Sequence, residues 1–142
     1  MEIEAPVPFE RRMSLRLPLV SASVEAGFPS PADDHLERAL DLNEELVRNP
    51  AATFFVRVKG ESMRDAGIRS GDILVVDRSL SPVDRQIVVA MIDGEFTVKR
   101  FRKKNGRITL EAENPSFSPI DVGEDQELTI WGAVTYVIHQ AR

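Results

Sequence analysis

The chain has 142 residues, 42% hydrophobic and 29% charged, a size and balance that fit one globular domain and exclude low-complexity disorder. Its formal net charge of -5 excludes a general nucleic-acid binder, which needs surplus Lys and Arg to neutralise phosphates, so any link to DNA is indirect. With no Cys and only His35 and His139, disulfides, thiolate zinc sites and cysteine nucleophiles are excluded, and a hydroxyl, a carboxylate or a lysine must carry any catalysis.

Residues 1 to 29 show no sustained period and carry Pro6, Pro8, Pro18 and Pro29, so they read as an extended arm rather than part of the core. The stretch from Phe9 to Ala26 has the outline of an export signal, with Arg11-Arg12 ahead of an apolar run and small residues at its end. That run, Leu15 to Val20, is shorter than the roughly 7 to 15 residues such a signal needs and contains Arg16 and Pro18. The arm is therefore read as cytoplasmic, and nothing in the chain approaches the about 18 apolar residues of a spanning helix. Ser30-Pro31-Ala32-Asp33 offers an N-cap, a first-turn proline and an acid, predicting a helix with Leu36, Ala39 and Leu40 as its apolar stripe. A second short helix is predicted from Asp41, with Leu42, Leu46 and Val47 at helical spacing, ending before Asn49-Pro50.

Strand signals follow from Thr53 to Val58, Ile73 to Val76 and Ile87 to Ile92. Asp93-Gly94 and Asn105-Gly106 are two-residue hairpin turns, which makes Phe96 to Lys103 and Arg107 to Glu113 neighbouring strands. A last strand pair is predicted at Leu128 to Trp131 and Ala133 to Ile138, with Trp131 and Tyr136 in the sheet core. The expected fold is mostly β, antiparallel, with short helices and an extended N-terminal arm.

Two side chains stand out. Ser62, in Gly60-Glu61-Ser62-Met63-Arg64-Asp65, follows directly on a predicted strand. It reads either as the cap of a helical turn with Asp65 three residues on, or as a nucleophile beside free backbone N–H groups that can hold an oxyanion. Lys99 lies in the alternating strand from Glu95 to Phe101. Counting outward from the two tight turns pairs Ile92 with Glu95 and Lys104 with Arg107, which sets Val88 on one side of Lys99 and Ala112 on the other, with Leu110 diagonal. A lysine in apolar surroundings has its pKa lowered, and the neutral amine is a general base for a nearby serine, unless its head snorkels to water. Hydroxyl and amine together would form a Ser-Lys dyad.

Ala26-Gly27-Phe28-Pro29-Ser30-Pro31-Ala32, Gly60-Glu61-Ser62-Met63, Gly71-Asp72-Ile73-Leu74-Val75-Val76-Asp77 and Asp93-Gly94-Glu95-Phe96-Thr97-Val98-Lys99-Arg100 stand in an order and at separations that resemble the LexA/UmuD self-cleaving serine peptidases, from about residue 18 to the C-terminus. The resemblance is on the UmuD side, because the helix-turn-helix domain of LexA repressors is missing. It implies the peptidase fold of that family, a scissile bond at Ala26-Gly27, Ser62 as nucleophile and Lys99 as base. The backbone N–H of Ser62, with that of Met63, would be the oxyanion donor. Residues 1-26 would be the arm removed by self-cleavage, and residues 27-142 the Ser-Lys peptidase and polymerase-accessory domain. The resemblance further implies a homodimer that cuts itself on a RecA filament on single-stranded DNA. Its shortened product would join a Y-family, UmuC-like polymerase in the translesion synthesis of the SOS response, with no cofactor, no metal and no sequence-specific DNA binding of its own. Three positions depart from the usual pattern: Ala26 where the best-known UmuD proteins have Cys, Glu61 where Asp is frequent, and Arg85-Gln86 in place of Gly-Asp. The competing expectations are a signal-peptidase-like protease, a repressor, and a non-catalytic dimeric regulator of the polymerase. The first lacks a membrane anchor, the second a reading helix and a basic face, and the third does not require the Ser62 and Lys99 pair.

Overall fold

The structure is a computed structural model that describes residues 1-11, 16-20, 36-123 and 126-141, with the backbone alone at 16-20 and 36-39. The chain divides into two compact units, Met1–Phe9 with Asn49–Arg142, and Glu10–Arg48.

The smaller unit pairs strand β3 (Arg16–Val20) antiparallel with β4 (Leu36–Asp41), followed by helix α1 (Leu42–Leu46). The helix begins where expected: the Asp41 carboxylate caps it by accepting from the Asn43 N–H at 2.9 Å, and Arg11 fixes that carboxylate from the other side at 2.7 Å. The helix expected to run through Leu36, Ala39 and Leu40 is corrected to strand β4. A stripe that short cannot offset helix nucleation, whereas pairing with β3 satisfies the same backbone groups at once. The predicted start of that helix, Ser30 to Asp33, lies outside the described residues.

The larger unit begins with two short strands, β1 (Glu2–Ile3) and β2 (Val7–Pro8), so the reading of this segment as an arm outside the core is corrected: pairing with the strand Thr53–Lys59 satisfies its backbone, and Met1 and Ile3 pack against the core. After Asn49 come β5 (Thr53–Lys59), β6 (Ile73–Asp77), β7 (Ile87–Ile92), β8 (Glu95–Lys104), β9 (Arg107–Glu111), β10 (Ile120–Asp121) and β11 (Leu128–Ile138). They form one antiparallel sheet ordered β1-β5-β6-β11-β7-β8-β9-β10, with β2 also on β5. The mostly β, antiparallel class read from the sequence is the class found. Both hairpins have the expected two-residue turns, with positive φ at Asp93 and Gly94 and at Asn105 and Gly106. Their registers follow: Ile92 faces Glu95, Lys104 faces Arg107 and Val88 faces Lys99.

The last strand pair is corrected to one bent strand. β11 lies along β7 from Leu128 to Ala133 and along β6 from Ala133 to Ile138, with irregularities between Ile130 and Gly132 and between Val134 and Tyr136. Gly132 is not a turn but a close approach, since a Cβ there would lie 2.5 Å from Val76 Cγ1. Trp131 packs edge-on against Phe54 and Phe96, at 5.0 and 5.9 Å between ring centroids, with the Arg78 guanidinium over its face.

One core cluster gathers Val56, Val58, Met63, Ile68, Leu74, Val76, Val89 and Val98, and a second gathers Val88, Ala90, Phe101 and Leu110. Each of these side chains larger than alanine contributes roughly 1.5 to 3 kcal/mol by leaving water. The sheet is also pinned at Asp77, whose carboxylate accepts from Asn49 Nδ2 at 2.7 Å and from the Ser79 N–H at 2.8 Å. Burial alone would raise its pKa, but these hydrogen bonds outweigh burial and hold it below the ordinary value.

Arg85, at one of the positions departing from the family pattern, has φ 75°, a left-handed conformation that costs a side-chain residue about 1 kcal/mol or more. Its N–H donates to the Phe101 carbonyl at 2.8 Å and holds it there, while its side chain is 78% exposed. Arg85→Gly is expected to stabilise the fold by about 0.5 kcal/mol or more after the greater chain entropy of glycine is counted, raising Tm by roughly 2 °C in calorimetry. A lowered Tm would show that the Arg85 side chain, not its backbone, matters there.

Candidate active site

Strand β5 ends at Lys59, the chain turns through Gly60 and Glu61, and a 3-10 turn follows from Arg64 to Ala66. Ser62 sits between strand and turn, 1% exposed, beside the fully buried Met63. The turn is wound on itself, since the Arg64 N–H donates to the Glu61 carbonyl at 3.2 Å and the Ala66 and Ile68 N–H groups donate to the Met63 carbonyl at 3.1 and 3.3 Å. The capping reading of Ser62 does not hold: the turn has Met63 at its N-cap with no side-chain hydrogen bond. The Ser62 hydroxyl is engaged elsewhere.

Lys99 stands mid-strand on β8, opposite Val88 and within two residues of the buried Val98 and Phe101. Its side chain does not snorkel, because the residue is 5% exposed. Its Nζ lies 3.1 Å from Ser62 Oγ and 3.3 Å from the Val98 carbonyl. Ala112, expected across from Lys99, lies one residue past the last pair of the ladder, Arg100 with Glu111. Burial pushes the Lys99 pKa below its ordinary 10.5, with a hydrogen bond to the amino group of Met1 acting in the opposite direction. The neutral amine thus becomes accessible at lower pH than in water, and its lone pair then faces the serine hydroxyl.

The sequence reading missed two features. Strand β1 runs along β5 with Glu2 opposite Lys59, and brings Met1 and Glu2 to a cleft shared with Lys59 to Ser62 and Phe117. Burial, with the charge and hydrogen bond of Lys99, holds the Met1 amino group down to about 5. The second is Asn114, 7% exposed, whose Nδ2 donates to the Glu61 carbonyl at 2.8 Å while its Oδ1 accepts from the Ser116 N–H at 3.0 Å. Asn-Pro-Ser at 114-116 is a turn signature, which could have marked the loop but not its partner 53 residues away. The Ala26-Gly27 bond lies outside the described residues.

A buried serine hydroxyl held by a buried lysine amine is the arrangement of an activated serine. The family profile described as Peptidase S24-like matches residues 18–135. The chain belongs to the Peptidase S24-like family. Among S24-type relatives, SamA of Salmonella typhimurium is 46% identical over 135 residues, covering 95% of this chain and 94% of its own. ImpA of Escherichia coli is 48% identical over 127 residues, 88% of this chain and 85% of its own. A LexA repressor of Shewanella piezotolerans is 42% identical over 127 residues, 89% of this chain but 61% of its own. The resemblance to the LexA/UmuD peptidases is thereby established, and S24 membership carries the serine peptidase class with it.

Lys99 also makes a stability prediction. Its folded pKa is lowered, so the unfolded chain binds the proton more tightly, and the destabilisation is full below the folded pKa and fades as pH rises toward 10.5. Lys99→Met is therefore expected to match or exceed the wild-type Tm at pH 7, with any advantage shrinking as pH is raised. Parallel thermal melts from pH 7 to 10 check this. A Tm deficit of constant size across that range would refute it.

Proposed function

We propose that the chain is a self-cleaving Ser-Lys endopeptidase that cuts its own Ala26-Gly27 bond. The observation that carries this reading is the 3.1 Å approach of Lys99 Nζ to Ser62 Oγ, two side chains that are both buried. Ser62 Oγ attacks the Ala26 carbonyl carbon as neutral Lys99 takes the hydroxyl proton. The tetrahedral oxyanion is met by the Ser62 and Met63 N–H groups. The C–N bond then breaks, Lys99 returns the proton to the departing Gly27 amine, and Ala26 is left as an ester on Ser62. Water, deprotonated by the same lysine, hydrolyses that ester and frees residues 1-26 from the 27-142 body.

The choice of substrate follows from the tether. A bond on the same chain, or on the partner copy of a dimer, is presented at high effective concentration, so no deep substrate pocket is required. Ala26 and Gly27 are small enough for a narrow cleft, and Pro29 stiffens the chain just beyond. Lys99 sets the pace, because its protonated form cannot accept the serine proton. On the family resemblance, the trigger is a RecA filament on single-stranded DNA. The processed homodimer then acts in the cytoplasm with a Y-family polymerase in SOS translesion synthesis.

Purified protein held at pH 9 to 10 without any partner is expected to cut at Ala26-Gly27, since alkali supplies neutral Lys99, and intact mass spectrometry reads the two pieces. Ser62→Ala and Lys99→Arg are expected to abolish the cut, the second because guanidinium does not deprotonate. Unchanged mass in the wild type, or cutting that survives either substitution, would overturn the dyad.

A further inference from the structure

The Ser62 N–H belongs to the same peptide unit as the Glu61 carbonyl. A trans peptide is planar, and its C=O and N–H point in opposite directions, so whatever fixes the carbonyl fixes the aim of the amide. The Glu61 carbonyl accepts two hydrogen bonds. One, from the Arg64 N–H at 3.2 Å, is local to the turn. The other, from Asn114 Nδ2 at 2.8 Å, comes from the loop after β9. The Ser62 N–H itself has no acceptor among the described residues.

Asn114 is itself held. Its Oδ1 accepts from Ser116 N–H at 3.0 Å and its own carbonyl accepts from the Phe117 N–H at 3.0 Å. The preceding residue reinforces the attachment twice: the Glu113 carbonyl accepts from the Asp65 N–H at 2.8 Å, and the Glu113 carboxylate binds Arg100 Nε at 2.6 Å. Arg100 is the neighbour of Lys99 on β8. One loop thus touches the peptide before the nucleophile, the turn after it and the strand that bears the base.

We propose that Asn114 is a positioning residue for the oxyanion site, holding the Glu61-Ser62 peptide plane so that the Ser62 N–H faces the developing oxyanion. This rests on the Ser-Lys reading above. An oxyanion donor acts through preorganisation, and removing one outright typically lowers the rate by about 100- to 1000-fold. A donor left in place but free to rotate loses part of that. The Asn114 side chain bonds the Glu61 carbonyl and the Ser116 N–H and not Lys99 Nζ, so its loss should lower the rate without moving the pH at which the base titrates.

The test is the first-order self-cleavage rate of the full chain from pH 7 to 10.5, read by intact mass, for wild type, Ser62→Ala, Asn114→Asp and Asn114→Ala. Asn114→Asp keeps the acceptor for Ser116 and removes the donor to Glu61, placing a carboxylate oxygen against a carbonyl. The expected result is a plateau lowered about tenfold or more in both variants and a Tm within a few degrees of wild type, with an unmoved pH midpoint in Asn114→Ala, the variant that adds no charge near Lys99. Wild-type rates in both would overturn the role, as would a shifted midpoint in Asn114→Ala, which would mean that the loss acts through Lys99. Unfolding of both variants would assign Asn114 to stability instead. Cutting that persists in Ser62→Ala, or is absent from the wild type, would remove the reaction and this role with it.

Discussion

Everything at the site depends on keeping one lysine amine out of water beside a serine. Lys99 is placed to do this by its strand: it pairs with Val88 of β7 on one side, the ladder to β9 begins at the next residue, and its neighbours Val98 and Phe101 are buried. The serine lies at the end of β5, four positions away in the sheet order. A flat sheet would hold the two far apart. Strand β1, at one end of the order, lies against β8, so the sheet curls until its end strand meets its middle. The 3.1 Å separation of Nζ and Oγ therefore depends on the curl of the sheet and not on the Ser62 turn alone.

That geometry has to survive with little local support, because Ser62 sits on a turn rather than inside a regular element. The turn is secured by its apolar and polar neighbours acting together. Met63 and Ile68 anchor it in the core, while Asn114 and Glu113 grip its backbone from the loop after β9. The Arg100 to Glu113 pair, at 2.6 Å, ties that loop back to the strand of the base. Half-exposed ion pairs contribute little to stability by themselves. Here the contribution is alignment, since it limits how far Ser62 and Lys99 can drift relative to each other.

The sequence disclosed those parts whose cause is local. Positive φ in Asp93-Gly94 and Asn105-Gly106 fixed both hairpin registers, and from them Val88 opposite Lys99 followed by counting, whereas Ala112 on the other side falls just past the ladder. The cap at Asp41 located α1. What escaped was decided by distant chain. Leu36 to Asp41 has a helical stripe, yet β3 claims its backbone. Gly132 looks like a turn residue, yet it is small because Val76 passes close by. Asn114 carries a turn signature, but its bond to Glu61 spans 53 residues, and spacing says nothing about a partner that far away. Ser62 illustrates the same division: its local context suited a helix cap, and only the arrival of Lys99 from a strand 37 residues on gives its hydroxyl another partner.

The proposed cut has a structural consequence beyond the bond itself. β1 and β2 both precede residue 26, so the released piece contains the strands that pair with β5 from Phe54 to Lys59. It also contains Met1 and Glu2, which form one wall of the cleft beside Ser62. Edge strands left bare are templates for pairing with another chain. The uncut protein keeps that edge covered with its own residues, and the Glu4 backbone N–H donates to the Arg57 carbonyl at 2.9 Å to hold them there. Loss of the first 26 residues on the proposed reading therefore changes two surfaces in one step, opening the cleft and exposing a strand edge. Because Ser62 Oγ and Lys99 Nζ already lie within hydrogen-bond distance, control of the proposed step would fall on lysine protonation and on presentation of the scissile bond rather than on bringing the two side chains together.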